Sequence, residues 1–174
     1  GSWGIDRMAA FMADLTRHDE DVLGELYQAT IGNDEAGQFW TPEHVCQLMA
    51  TMSLPPVPVP ESKTVCDPCC GSGRTLLAAA RLQPHWHFVG RDIDFRCVQM
   101  TAINLGLRNL YGHVIWGDTL AGEVRRVFQT GRLLSHGNVV REISIENIPE
   151  SVRQFAEQPA PPTGGSQLTL FDEI

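Results

Sequence analysis

The chain has 174 residues, with 13 Lys and Arg against 21 Asp and Glu, for a formal charge of −8; that is about one domain's length. Its 43% hydrophobic and 20% charged residues form an ordinary globular balance, which excludes wholesale disorder. The acidic excess argues against broad attraction to nucleic acid or an anionic membrane, although a local basic face is compatible with it.

No apolar run approaches the length of a membrane span, and no charged-then-apolar leader opens the chain, so no membrane role is expected. Gly1-Ser2, without an initiator Met, reads as a tag remnant. Ile5, Met8, Phe11, Met12 and Leu15, then Val22, Leu23, Leu26 and Tyr27, fall at helical spacing, and Asp19 to Asp21 supply a cap for the second helix. Residues 31–37 are a loop by composition. Thr41-Pro42-Glu43 opens a further helix to about Met52, with Thr as N-cap and Pro at the first helical position. Leu54 to Pro60 holds four prolines in seven residues and predicts an extended connector.

The period then changes. Thr64 to Cys66 reads as a strand, Thr75 to Leu82 as a helix, Trp86 to Gly90 as a strand, Phe95 to Leu107 as a helix, and His113 to Trp116 as a third strand. This alternation predicts an α/β fold with a partial parallel sheet preceded by an N-terminal helical segment. Past Leu120 the pattern weakens: Glu123 to Thr130 reads as helix, Val139 to Ile145 as strand, and Pro149 to Gln158 as a short helix. The predicted organisation is N-terminal helices over 1–54, a Pro-rich connector over 55–62, a core over 63–158, and a flexible linker with a terminal peptide over 159–174.

Five cysteines, four of them in or near one Gly-rich strand–helix unit, do not form a secreted disulfide framework and predict a reducing, cytoplasmic setting. Cys66-x-x-Cys69 lacks the second pair of a structural zinc site, so no metal is expected. His85-x-His87 reads as a surface pair, and Arg125, Arg126 and Arg132 as a solvated helix face that could touch phosphates.

The chemistry concentrates around Val65-Cys66-Asp67-Pro68-Cys69-Cys70-Gly71-Ser72-Gly73, which ends a strand and opens a helix. Gly71 and Gly73 allow close backbone approach, and the first helical turn offers free N–H groups. The Lys-Ser/Thr of a phosphate loop is missing. Asp67 at the strand end repels a pyrophosphate but suits an ammonium or sulfonium centre. Asp92, after the second strand, is placed to accept both ribose hydroxyls, and Asp118, after the third, to accept an adenine amino group. An acid after each of three successive strands describes a pocket for S-adenosylmethionine better than one for a dinucleotide.

Asp67-Pro-Cys-Cys-Gly-Ser-Gly resembles the S-adenosylmethionine loop of adenine-N6 DNA methyltransferases, in particular the modification subunits of type I restriction–modification systems and related methylases. Gly37-Gln38-Phe39-Trp40-Thr41-Pro42 resembles that family's cofactor-contacting segment, and Asp21-Val-Leu-Gly-Glu-Leu-Tyr27 the stretch leading into it. The resemblance covers residues 20 to about 120. It implies a Rossmann-like methyltransferase core whose cofactor residues are Phe39, Thr41, Asp67, Cys69, Gly71, Gly73, Asp92, Ile93 and Asp118.

In the family the chemistry is done by an Asn/Asp-Pro-Pro-Tyr/Phe tetrapeptide after a fourth strand, and no such string occurs. The nearest is Asn147-Ile148-Pro149-Glu150, which makes Asn147 and Pro149 the weak catalytic candidates and equally fits a turn with Pro early in a helix. About 110 residues follow the start of the first strand, less than a complete sheet with a target-recognition domain needs. Three readings stand: a compact or divergent DNA adenine methyltransferase, a cofactor-binding half that needs a partner chain for catalysis and DNA recognition, and a catalytically silent regulatory relative. The tail Gln167-Leu168-Thr169-Leu170-Phe171 resembles the peptide by which bacterial proteins dock on the replicative sliding clamp, with Gln167, Leu168, Leu170 and Phe171 as contacts; it reads equally as a segment packing on its own domain.

Overall fold

The computed structural model describes residues 21–31, 40–133 and 137–156. The predicted helix over 5–15, Phe39, and the terminal peptide with Gln167, Leu168, Leu170 and Phe171 lie outside the described residues. Helices α1 (Val22–Ile31) and α2 (Glu43–Ser53) precede β1 (Thr64–Asp67), α3 (Arg74–Leu82), β2 (His87–Asp92), α4 (Phe95–Leu107), β3 (Gly112–Trp116), β4 (Arg126–Leu133), β5 (Gly137–Ile143), a single 3-10 turn (Ile145–Asn147) and α5 (Glu150–Ala156). The chain is α/β, as the alternation predicts.

The five strands lie in the order β1-β2-β3-β4-β5. The first three are parallel, with Cys66 opposite Val89 and Val89 opposite His113. The last two are antiparallel, with Ile115 opposite Val127 and Val127 opposite Ile143. The sheet is therefore parallel over its first three strands, as the alternation predicts, and mixed overall, and the helix expected over Glu123 to Thr130 is mostly strand β4. The reason is a period of two: Val127 packs on one face with Ile115 and Val152, while Phe128 packs on the other against Phe95. Thr130 is buried and donates to the Leu110 carbonyl at 2.9 Å, and Gly131 takes a φ of 117° where a Cβ would lie 3.1 Å from the Tyr111 Cα.

Alternation along β2 divides the core. Phe88 faces α3 and α4 with Leu76, Leu77, Val98, Ala102, Leu105 and Val114, whereas Val89 faces α5 with Ile115, Val127, Ile148 and Val152. Helix α2 lies on α3 through Cys46, Ala50 and Ala78. The start of α2 differs from expectation. Pro42 occupies the cap position without a side-chain bond, and the Thr41 carbonyl accepts from Arg74 Nη1 at 3.1 Å. The proline connector is held by buried Gln83, whose Oε1 accepts from Val59 N at 3.0 Å. Its Nε2 donates to the Pro55 and Val57 carbonyls at 3.0 and 2.7 Å.

His85 is exposed, but His87 is buried and its Nε2 lies 2.8 Å from His113 Nδ1, so the expected surface pair does not form. His87 points inward because it opens β2 on the same face as Val89. Buried Arg91 donates to three carbonyls, those of Phe155 at 2.9 Å, Glu123 at 2.9 Å and Asp118 at 3.2 Å. It thereby joins the end of α5 to the loop between β3 and β4. Among the described residues, no helix is long and apolar enough to cross a membrane.

Candidate functional site

The turn between β1 and α3 is fixed from every side. Cys70 N donates to the Arg91 carbonyl at 2.8 Å, and Gly73 N to the Cys70 carbonyl at 2.7 Å. Gly71 N donates to Asp92 Oδ2 at 2.9 Å, its carbonyl accepts from Thr101 Oγ1 at 2.8 Å, and the Ser72 carbonyl accepts from Asn104 Nδ2 at 2.9 Å. Gly71 and Gly73 both have positive φ, 55° and 89°, a region that disfavours a Cβ. Each glycine has a different neighbour. A Cβ on Gly71 would come within 3.5 Å of the Trp40 ring, whereas one on Gly73 would lie 3.0 Å from Thr101 Oγ1. Gly73 thus seats the turn on α4, and Gly71 faces the cavity.

That cavity, about 600 Å³, opens at the carboxyl ends of β1 to β3 and is lined by Trp40, Pro68, Cys69, Gly71, residues 92–94, Cys97 and residues 118–120. A second hollow of about 290 Å³ shares Trp40, Pro68, Cys69 and Gly71 with it and adds Thr41, Asp67 and Arg74. The expected residues Cys69, Gly71, Asp92, Ile93 and Asp118 therefore converge on the first space, and Thr41 and Asp67 on its neighbour. This is the position where open α/β sheets hold their ligands.

The acids keep acceptor capacity toward the space. Asp118 Oδ1 accepts from Leu120 N and Ala121 N at 2.8 and 3.1 Å, and Oδ2 has no partner among the described residues. Asp67 Oδ1 accepts from Cys69 N at 3.1 Å. Asp92 accepts from Gly71 N and from Asp94 N, and burial pushes its carboxyl pKa up, with those two bonds opposing the rise. A cationic group or hydroxyls placed here would meet carboxylates held by backbone amides, at little cost in side-chain ordering. Apolar surface completes the lining: Ile93 is 60% exposed and Leu120 89% exposed at the mouth.

Cys66 and Cys69, beside the cavity, are not poised as thiolates. Burial pushes Cys66 up to about 11, and burial with Asp92 and Asp67 raises Cys69. Asn147 and Pro149 stand apart from the cavity. Asn147 is exposed and lines a separate hollow with Gln129, Arg141 and Glu142 beside β5, while the Pro149 carbonyl accepts from Val152 N and Arg153 N at the start of α5. Arg125 and Arg126 do not share a helix face: Arg125 pairs with Glu123 at 2.7 Å, and Arg126 on β4 pairs with Glu142 on β5.

Trp40, which stands next to the expected Phe39 in the Gly37 to Pro42 segment, lines both spaces. Asp94 and Leu120 also line the cavity without having been singled out. The signal for Asp94 was its spacing two residues after Asp92 at a helix start; its carboxylate accepts from Arg96 N at 2.8 Å as the cap of α4. Leu120 carries no signal beyond following Asp118.

A family model described as N-6 DNA Methylase matches residues 18–134, a span that holds the cavity-lining residues and α1. No solved structure matches the chain.

Proposed function

The chain belongs to the N-6 DNA methylase family, and we propose that its cavity binds S-adenosylmethionine for methylation of adenine N6 in DNA. The observation that carries this reading is the placement of three acids, from the ends of three successive strands, around two adjoining spaces that share Gly71 of the turn. Asp92 accepts from the ribose hydroxyls, Asp118 Oδ2 from the adenine amino group, and Asp67 faces the cationic amino-acid end with Thr41. Ile93 and Leu120 cover the adenine faces. The bound cofactor supplies an electrophilic methyl group. The chain's residues orient it through its ribose, its adenine and its cationic amino-acid end.

The position of Asn147 outside the cavity favours one form of this reading over the others. The chain acts as the cofactor-binding part, and the group that accepts the adenine amino proton comes from a partner subunit. Recruitment to DNA then runs through that partner and through the Gln167 to Phe171 peptide on the sliding clamp, which also answers the net charge of −8. Calorimetric titration with S-adenosylhomocysteine tests the cavity, and transfer of labelled methyl groups to DNA by the chain alone tests its independence. No binding by the wild-type chain refutes the cofactor assignment. Efficient transfer by the chain alone refutes the need for a partner.

A further inference from the structure

Helix α1 contributes no residue to the lining of either space, yet it touches the walls of both at two points. The first is Asp21, immediately before the helix and only 1% exposed. Its carboxylate accepts from four donors on three other elements and on α1 itself. Oδ1 takes Gly24 N at 2.9 Å and Asn104 Nδ2 of α4 at 2.8 Å. Oδ2 takes the hydroxyl of Ser72 in the glycine turn, and Arg74 Nε of α3 at 3.3 Å. Asn104 and Arg74 extend the same network: one amide nitrogen of Asn104 also holds the Ser72 carbonyl, and Arg74 Nη1 holds the Thr41 carbonyl. Gly24 lets the helix approach this closely, since a Cβ there would lie 2.0 Å from Asp21 Oδ2 and 2.5 Å from Ser72 Oγ.

The second point is Tyr27. Its ring centroid is 5.6 Å from that of Trp40, which lines both spaces, and the Arg96 guanidinium lies over the Tyr27 ring, 5.5 Å from its centroid. Helix α1 therefore fixes the turn through Asp21 and the tryptophan wall through Tyr27.

We infer that Asp21 is a positioning residue that makes α1 and the Gly71-Ser72-Gly73 turn one cooperative unit, so that docking of the helix and shaping of the ligand cavity are a single event. A buried carboxylate that loses its donors, or donors that lose a buried carboxylate, are strongly penalised, so neither α1 nor the turn opens without disturbing the other. If ligand binding requires the turn as it stands, ligand and α1 stabilise each other reciprocally. This last step rests on the proposed function; the coupling itself does not.

Residue-resolved hydrogen exchange on the full chain, without ligand, tests the coupling in wild type, Asp21→Asn and Gly24→Ala. The second variant displaces the helix while leaving the carboxylate in the sequence. The expected result is exchange at least tenfold faster in α1 and, in parallel, at the Gly71 and Gly73 amides, with Val89 and Val114 in the sheet unchanged. Faster exchange in α1 alone, no change in either, or a uniform rise through the sheet overturns the inference. In the same series S-adenosylhomocysteine should bind the variants at least tenfold more weakly, and should slow exchange of α1 in wild type. Failure of the wild type to bind refutes the proposed function, while the ligand-free exchange still decides the coupling. Normal binding by Asp21→Asn refutes the reciprocal stabilisation of ligand and α1 and leaves the proposed function standing, with the coupling decided by the ligand-free exchange.

Discussion

Acid should destabilise this fold through the His87–His113 pair, and His113→Leu should flatten that dependence. His113 is fully buried, its Nδ1 is engaged with His87 at 2.8 Å, and its Nε2 is buried with no partner among the described residues. Burial, with repulsion from His87 and Arg141, pushes its pKa down to about 4, and burial lowers His87 as well. An unfolded histidine takes its proton near 6.5. Between about 6.5 and 4 the unfolded chain therefore binds a proton that the folded chain refuses, and stability falls as pH falls. The full contribution is present above 6.5, and below about 4 the loss levels off. Between pH 7.5 and 5 the linkage integral for His113 is about 2 kcal/mol. Asp92 works in the opposite direction, because its raised pKa favours the folded state as it protonates; comparison with the variant cancels that contribution. Urea midpoints of wild type and His113→Leu across this range are the measurement. The variant loses stability at neutral pH, because His87 is left without its ring partner, yet its midpoint should change less with pH by the equivalent of about 2 kcal/mol. Parallel pH curves for the two proteins would refute the reasoning.

Gln83→Leu removes three hydrogen bonds to the proline connector and leaves one amide and two carbonyls to find water. A loss of about 2–4 kcal/mol is expected, with proteolytic cleavage appearing first between Pro55 and Pro60; an unchanged digestion pattern counts against the clamp. Asp92→Ala frees Gly71 N as well as the ribose side of the cavity, so S-adenosylhomocysteine affinity should drop by tenfold or more in calorimetry, and unchanged affinity removes the ribose assignment. Phe171→Ala should abolish capture of the chain by immobilised sliding clamp, and equal capture of variant and wild type removes that role for the tail.

The strand–helix alternation from Thr64 to Trp116 was legible because each element carries its own period and each strand ends at or just before a Gly or Asp. The helix Phe95 to Leu107 matches its predicted bounds. The hairpin was not legible, because β4 interleaves Arg126, Gln129 and Arg132 with its apolar residues, and short runs of that kind fit helix and strand alike. The acids were found by position, since the end of a strand is where a fold presents side chains to a ligand. Asp21 and His87 were misjudged in weight for the opposite reason. Local spacing marks one as a cap and the other as a surface residue, and only partners 51 or 26 residues away in the chain, Ser72 and His113, make each the centre of a buried network.

Arg91 gives the chain a mechanical property. Its guanidinium holds the carbonyl at the end of α5 and, on the same group, the carbonyls of Asp118 and Glu123. The last turn of α5 is therefore held at the place where the Asp118 loop is anchored. One rigid planar group thus ties the last turn of α5 to a loop that lines the cavity.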